Sequence, residues 1–162
     1  MSVIEKSIEV DVPRRTAYDQ WTQFESFPEF MEGVEDVRQI DDSHLHWKGE
    51  IAGVEREWDA EIVHQEPDER VTWRATSGAK NDGTVSFGSI NPERTQVTLR
   101  LDFEPEGFAE KAADVLHIVD LRVDKDLHNF KRFIEERETE TGAWRGSVKP
   151  TGEVDSGPEQ TP

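Results

Sequence analysis

The stretch from Val34 to Phe103 constrains the fold more than any other feature of the sequence. Here apolar and polar residues alternate with period two over roughly six runs, a pattern typical of half-buried β-strands. Turn-forming segments separate the runs: DDS, AG, EPDER, SGAKNDG and NPER. Consecutive strands joined by such short turns predict an antiparallel meander.

Helical patterns flank the meander. IEVDV, residues 8–12, predicts one more strand, and Pro13 suits the first turn of a helix. Two short helices with an aromatic face are predicted from there to Gly33. A long helix is predicted from about Glu110 to about Thr139, because apolar residues recur there at spacings of three and four: Leu116, Val119, Val123, Leu127, Phe130 and Ile134.

This order of elements predicts an α+β fold. A curved seven-stranded antiparallel sheet would wrap around the long C-terminal helix, which is the only element long enough to cover the buried face of the sheet. The two short helices follow the first strand, and a cavity is expected between sheet and helix. We expect a domain over residues 1–141 and a flexible acidic tail over 142–162, where Gly, Pro and polar residues dominate.

The hairpin HLHWKGEIAGVEREWDAEI, residues 44–62, predicts which side chains face the helix. If Ala52 and Gly53 form its turn, Trp47 opposes Trp58 on one face, next to Gly49 opposite Arg56. The other face then places potential cations against carboxylates: Lys48 with Glu57, His46 with Asp59 and His44 with Glu61. Because both faces agree, this register predicts that the tryptophans point towards the helix.

The inward positions form a broad aromatic and aliphatic wall, which is a candidate ligand site. The predicted ligand-binding residues are Trp47, Arg56, Trp58, Trp73, Phe87, Leu99, Leu101, Val119 and Val123. Arg56 is informative because a guanidinium among tryptophans needs a polar partner. It could orient the polar end of a ligand, or it could reach the rim or stack on Trp58. Equally, the tryptophans could be ordinary core residues without a ligand-sized cavity.

Charge and composition exclude several classes of protein. The chain has 36 Asp and Glu against 19 Lys and Arg, and its net charge of -17 would repel nucleic acids and anionic membranes. The absence of cysteine excludes disulfides, thiolate metal sites and cysteine nucleophiles. Without a membrane-length apolar run or a signal-peptide pattern, we expect a cytoplasmic protein with no stable membrane insertion.

No metal or cofactor is expected. His44, His46, Asp59 and Glu61 form a quartet of metal-ligating residue types, but cross-strand ion pairing explains it as well. No GxSxG, P-loop or GxGxxG motif occurs in the chain.

Several segments of the sequence resemble a known family: IEVDVPRRTAYDQWTQFESFPEFMEGV, LHWKGEIAGVEREWDAEI, PDERVTWRATSG, EPEGFAEKAADVL and DLHNFKRFIEER. Together they resemble the SRPBCC (START-like, helix-grip) superfamily, in particular its bacterial polyketide cyclase/dehydrase-type and coenzyme-Q-binding-like members. This resemblance spans about residues 1–146. It implies a deep hydrophobic cavity and binding of a lipid, an isoprenoid quinone or an aromatic polyketide, with cyclisation or dehydration in some branches. It carries over no catalytic residue.

Three functional hypotheses follow. The first is a carrier or sensor that binds a small hydrophobic molecule, with the tryptophan wall giving affinity and Arg56 giving orientation. The second is a polyketide cyclase, aromatase or dehydratase acting on a poly-β-keto intermediate, for which the sequence shows no evident base. The third is an acidic protein-interaction module without a ligand.

Overall fold

One antiparallel sheet and one long helix make up most of the fold. The computed structural model describes residues 2–51, 53–78, 80–104 and 112–156. The main strands are β1 (Ser2–Val10), β2 (Val34–Gln39), β3 (His44–Ile51), β4 (Val54–Glu66), β5 (Arg70–Ala75), β6 (Asn81–Asn91) and β7 (Arg94–Phe103). The helices are α1 (Arg14–Trp21), a 3₁₀ helix (Phe24–Glu29) and α2 (Ala112–Arg137), and two short strands follow, β8 (Ser147–Val148) and β9 (Val154–Asp155).

The seven main strands lie in the order β1-β7-β6-β5-β4-β3-β2, and every neighbouring pair is antiparallel. β2 to β7 therefore form the predicted meander, and β1 joins it beside β7. The predicted α+β helix-grip fold is confirmed, with two short helices after β1 and the long helix after β7. Glu110, the predicted start of that helix, lies outside the described residues.

The predicted register of the β3–β4 hairpin is confirmed. Trp47 opposes Trp58, Gly49 opposes Arg56, and the ladder ends at Ile51 opposite Val54. Gly53 has a φ of 82°, a left-handed value that glycine adopts without steric cost. Ala52, the other predicted turn residue, lies outside the described residues.

The outer face of this hairpin carries the predicted ion pairs between histidine and carboxylate. His46 Nδ1 lies 2.7 Å from an Asp59 oxygen, and His44 Nε2 lies 3.3 Å from Glu61. Asp59 is the main cause of the raised pKa of His46. At His44 the main cause of the raised pKa is Asp41, and Glu61 adds to it. Ion pairing therefore accounts for these four residues.

The core lies where α2 and the two short helices meet the sheet. α2 buries a stripe at spacings of three and four that matches the predicted one: Val123, Leu127, Phe130 and Ile134, with Val115 two turns earlier. The ring of Phe130 contacts Trp21 of α1 at 4.9 Å and Phe30 at 5.3 Å between centroids. These aromatic contacts fix α2 against the short helices.

Part of the segment after residue 142, for which a flexible tail was predicted, pairs with the sheet. Val148 is buried and pairs with Gln65 of β4, and β8 pairs in turn with β9. β4 has 13 residues and β3 only eight, so the far end of β4 has an edge that β3 does not cover. Between residues 142 and 156 the segment therefore contacts this strand edge and the buried polar groups of α1. Residues 157–162 lie outside the described part.

Candidate ligand-binding cavity

A cavity of about 180 Å³ lies between the sheet and α2. Its wall is mainly apolar and combines inward residues of the strands with residues of all three helical segments, for example Trp47, Trp73, Leu101, Phe24, Val119 and Val123. A dry, apolar cavity of about 150 Å³ is enough to bind benzene. The space in this conformation therefore suits a ring-sized apolar group.

Tryptophans dominate the sheet side of the cavity. Trp47 and Trp58 stack with their ring centroids 6.0 Å apart and their planes 5° from parallel. They meet because they occupy directly opposed inward positions of the hairpin. Trp73 of β5 lies against Gly83 on the neighbouring strand β6, where a Cβ atom would be 2.5 Å from its ring. Glycine at position 83 therefore makes room for the third indole.

Seven of the nine predicted ligand-binding residues line this cavity: Trp47, Trp58, Trp73, Leu99, Leu101, Val119 and Val123. Phe87 and Arg56 are not among its lining residues. Phe87 is buried in the core, where its ring packs edge-on against Tyr18 and Trp21. Arg56 is half-buried two residues beyond Trp58, towards the turn of the hairpin. The cavity therefore takes its cationic lining residue from another element.

That residue is Arg122 on α2, which the sequence reasoning missed together with Asp126. Both line the cavity. The guanidinium of Arg122 occupies the space in which a side chain at position 33 would lie, so Gly33 makes room for it. Residues 122 and 126 flank the apolar stripe of α2 at helical spacing. This Arg–Asp pair beside the stripe is the signal that could have identified them.

The Asp126 carboxyl is the titratable group that the cavity perturbs most. Burial raises its pKa to about 7, against the opposing effects of the Arg122 charge and of a hydrogen bond with the Glu32 backbone. Its Oδ1 atom is buried and has no hydrogen-bond partner among the described residues. The same holds, within those residues, for Nε1 of Trp47. Two residues of the apolar wall therefore carry a buried polar atom without a partner, one an acceptor and one a donor.

The described residues include no group of three or more His, Cys, Asp and Glu that could hold a metal ion. In the same parts of the chain, no helix has the length and apolar character needed to cross a membrane.

The fold and the cavity together define a START-like, helix-grip protein. The sequence model of the family described as "Polyketide cyclase / dehydrase and lipid transport" matches residues 10–132. The chain belongs to this family.

The chain is also similar in sequence to a relative and similar in fold to several solved structures. An uncharacterised 17.2 kDa protein of Streptomyces lincolnensis is 50% identical over 149 residues, which cover 91% of this chain and 99% of that protein. The crystal structure of the Zhui aromatase/cyclase from a Streptomyces species has a TM-score of 0.73 at 16% identity, covering 84% of this chain and 94% of that one. A START superfamily protein from Mycobacterium smegmatis has a TM-score of 0.62 at 18% identity, covering 83% and 95%. At these identities the two structures show a shared fold.

Proposed function

We propose that the protein binds a small hydrophobic molecule in the cavity between the sheet and α2, and acts as its carrier or sensor. The observation that supports this most is the apolar cavity walled by Trp47, Trp58 and Trp73. Ligand pockets typically combine such walls with a few polar groups that fix orientation. Here Arg122 and Asp126 take the orienting role that the sequence suggested for Arg56.

The dimensions of the cavity favour certain ligands within the classes that the family suggests, which are lipids, isoprenoid quinones and aromatic polyketides. A volume of about 180 Å³ accommodates an aromatic ring or a short chain. Flat indole surfaces also favour ring-shaped ligands, since aromatic pairs gain from stacking as well as from burial. We therefore place an aromatic ligand ahead of a long-chain lipid.

Replacing Trp58 by alanine tests this proposal. Trp58 lines the cavity and stacks on Trp47, so Trp58→Ala should weaken binding of p-xylene or naphthalene by about 1–3 kcal/mol while the fold survives. Calorimetric titration of purified protein with each compound measures the change. Trp144→Ala is the matched control, because Trp144 packs on the core without lining the cavity. Unchanged affinity in folded Trp58→Ala, or an equal loss in both variants, would contradict the proposal.

A second candidate function is polyketide cyclisation or dehydration, and one observation favours it. Asp126 supplies a cavity carboxyl with a pKa of about 7, the range in which a general acid or base works best at neutral pH. Arg122 would then stabilise a developing enolate. Turnover of a poly-β-keto analogue that disappears in Asp126→Asn would establish this activity, whereas binding without turnover would favour the carrier.

A further inference from the structure

Two residues of the cavity lining each carry a buried polar atom without a partner, and these atoms indicate the chemistry of the ligand. They are Nε1 of Trp47, on the sheet side, and Oδ1 of Asp126, on α2. Both are buried and lack a hydrogen-bond partner among the described residues. A buried donor or acceptor without a partner destabilises the protein that contains it, so a ligand group that pairs with it gains affinity.

The two atoms differ in what they require. The indole N–H only donates, so it needs an acceptor on the ligand. The carboxyl of Asp126 accepts when it is ionised and also donates when it is protonated. Since burial brings its pKa to about 7, both forms are present at neutral pH.

These requirements separate the common polar groups of hydrophobic molecules. A carbonyl group accepts from the indole and from the protonated carboxyl, but it offers nothing to an ionised carboxylate. A carboxylate on the ligand would be attracted by Arg122, but it would also place a second negative charge beside Asp126, which the desolvated surroundings make unfavourable. A hydroxyl group both donates and accepts, so it suits either atom in either protonation state.

We propose that the cavity recognises a hydroxyl group on an otherwise apolar, ring-sized ligand, through Nε1 of Trp47 and the carboxyl of Asp126. This inference rests on the proposed binding function and adds the chemical class of the ligand. Phenols and enols are the simplest molecules that combine such a group with a ring for the tryptophan wall.

The test uses p-cresol and p-xylene, two neutral molecules of nearly equal size that differ by a hydroxyl in place of a methyl group. Calorimetric titration at pH 7 gives the dissociation constant of each for the wild type and for two variants. Trp47→Phe removes the indole donor and keeps an aromatic ring, and Asp126→Leu removes the carboxyl. Each variant should weaken p-cresol about three- to tenfold more than p-xylene, the loss expected for one hydrogen bond.

Each variant has a matched control. Trp58→Phe shortens the stacked partner indole in the same cavity, but Trp58 has no buried unpaired nitrogen among the described residues. It should weaken both ligands by the same factor. Asp124→Leu changes a carboxylate of the same helix whose side chain is half-exposed, and it should leave both affinities unchanged.

The outcomes distinguish the class of ligand from the binding function itself. If p-xylene and p-cresol bind the wild type but lose the same factor in Trp47→Phe and in Asp126→Leu, hydroxyl recognition is wrong and the binding function stands. A selective loss in only one variant removes the other residue from the recognition site. If neither compound binds the wild type, the binding function itself fails.

A measurement on the wild type guards against misfolded variants. The indole proton of Trp47 should shift further in NMR spectra on binding p-cresol than on binding p-xylene. Equal shifts would overturn its role as donor.

Discussion

At the scale of single residues, two glycines determine where the large side chains of the cavity lie. Gly33 leaves the space that the Arg122 guanidinium occupies, and Gly83 leaves the space under Trp73. The two positions differ in how much the neighbours can yield. Arg122 has a flexible side chain, whereas a Cβ atom at position 83 would also lie 2.8 Å from the backbone oxygen of Arg100.

Gly83→Ala should therefore destabilise the protein. The added methyl group would contact both the Trp73 ring and the backbone of β7, and overpacking of this kind costs about 1–3 kcal/mol. Chemical denaturation measures the change. Gly88→Ala on the same strand is the control, since a Cβ atom there would have open space around it. Equal stabilities of the two variants would show that the indole can move freely.

The Asp126 carboxyl predicts a specific pH dependence of stability. Its folded pKa is about 7 against an ordinary value of 3.8, so the folded state holds this proton more tightly than the unfolded state. The contribution of Asp126 to stability should therefore fall as the pH rises from about 4 to 7 and level off above that range.

Asp126→Asn should remove this contribution, which is on the order of 2–4 kcal/mol. Arg122, Lys125 and Glu32 surround the carboxyl and remain in the variant, so the comparison isolates Asp126. Denaturation of both proteins at several pH values provides the measurement. Parallel stability curves between pH 4 and 7 would show that Asp126 titrates normally.

At the scale of elements, the C-terminal segment holds α1 in place. The Arg145 guanidinium lies 2.8 Å from an oxygen of Asp19 on α1 and 2.9 Å from one of Asp68 in the β4–β5 turn. Asp19 is almost fully buried, and burial raises its pKa while Arg145 opposes the shift. Next to this pair, the Trp144 backbone N–H donates to Thr22 at 3.1 Å.

Arg145→Met should thus reduce the free energy of unfolding by about 2–4 kcal/mol at pH 7, because it leaves Asp19 buried without its main cation. Arg15→Met is the control. Arg15 approaches the same carboxylate from an exposed position, at 3.6 Å, and its loss should cost less than about 1 kcal/mol. Thermal or chemical denaturation compares the two variants, and similar losses would mean that the segment contributes little.

The elements also show which parts of the structure could be predicted from the sequence. The hairpin register was predictable because its two faces alternate and the pairing of each supports the other, as at Trp47–Trp58 and His46–Asp59. The apolar stripe of α2 was predictable because its apolar residues recur at helical spacing. β8 and β9 have two residues each, too few to show a period. Arg122 and Asp126 were missed because polar residues beside an apolar stripe normally face solvent.

At the scale of the whole molecule, the net charge of -17 places an excess of carboxylates on the surface. Even if each of the 19 Lys and Arg residues paired with one carboxylate, 17 of the 36 acidic residues would have no Lys or Arg partner. Mutual repulsion of these groups opposes the compact state.

Salt should accordingly stabilise the protein. Electrostatic screening shortens from about 10 Å at 0.1 M to about 3 Å at 1 M ionic strength, which weakens the net repulsion between surface carboxylates. We expect the melting temperature to rise over this range of NaCl, as measured by calorimetry. A melting temperature that falls with salt would show that the favourable ion pairs outweigh the repulsion.

The proposed function requires that the cavity holds a small hydrophobic molecule. Native mass spectrometry of protein purified without detergent tests it most directly, with identification of any released molecule after denaturation. We expect one discrete bound mass, belonging to a mostly apolar compound with a hydroxyl group. A reproducibly empty protein, whose tryptophan fluorescence also does not change with a panel of apolar ligands, would rule out ligand binding in the cavity. The tryptophans would then be core residues.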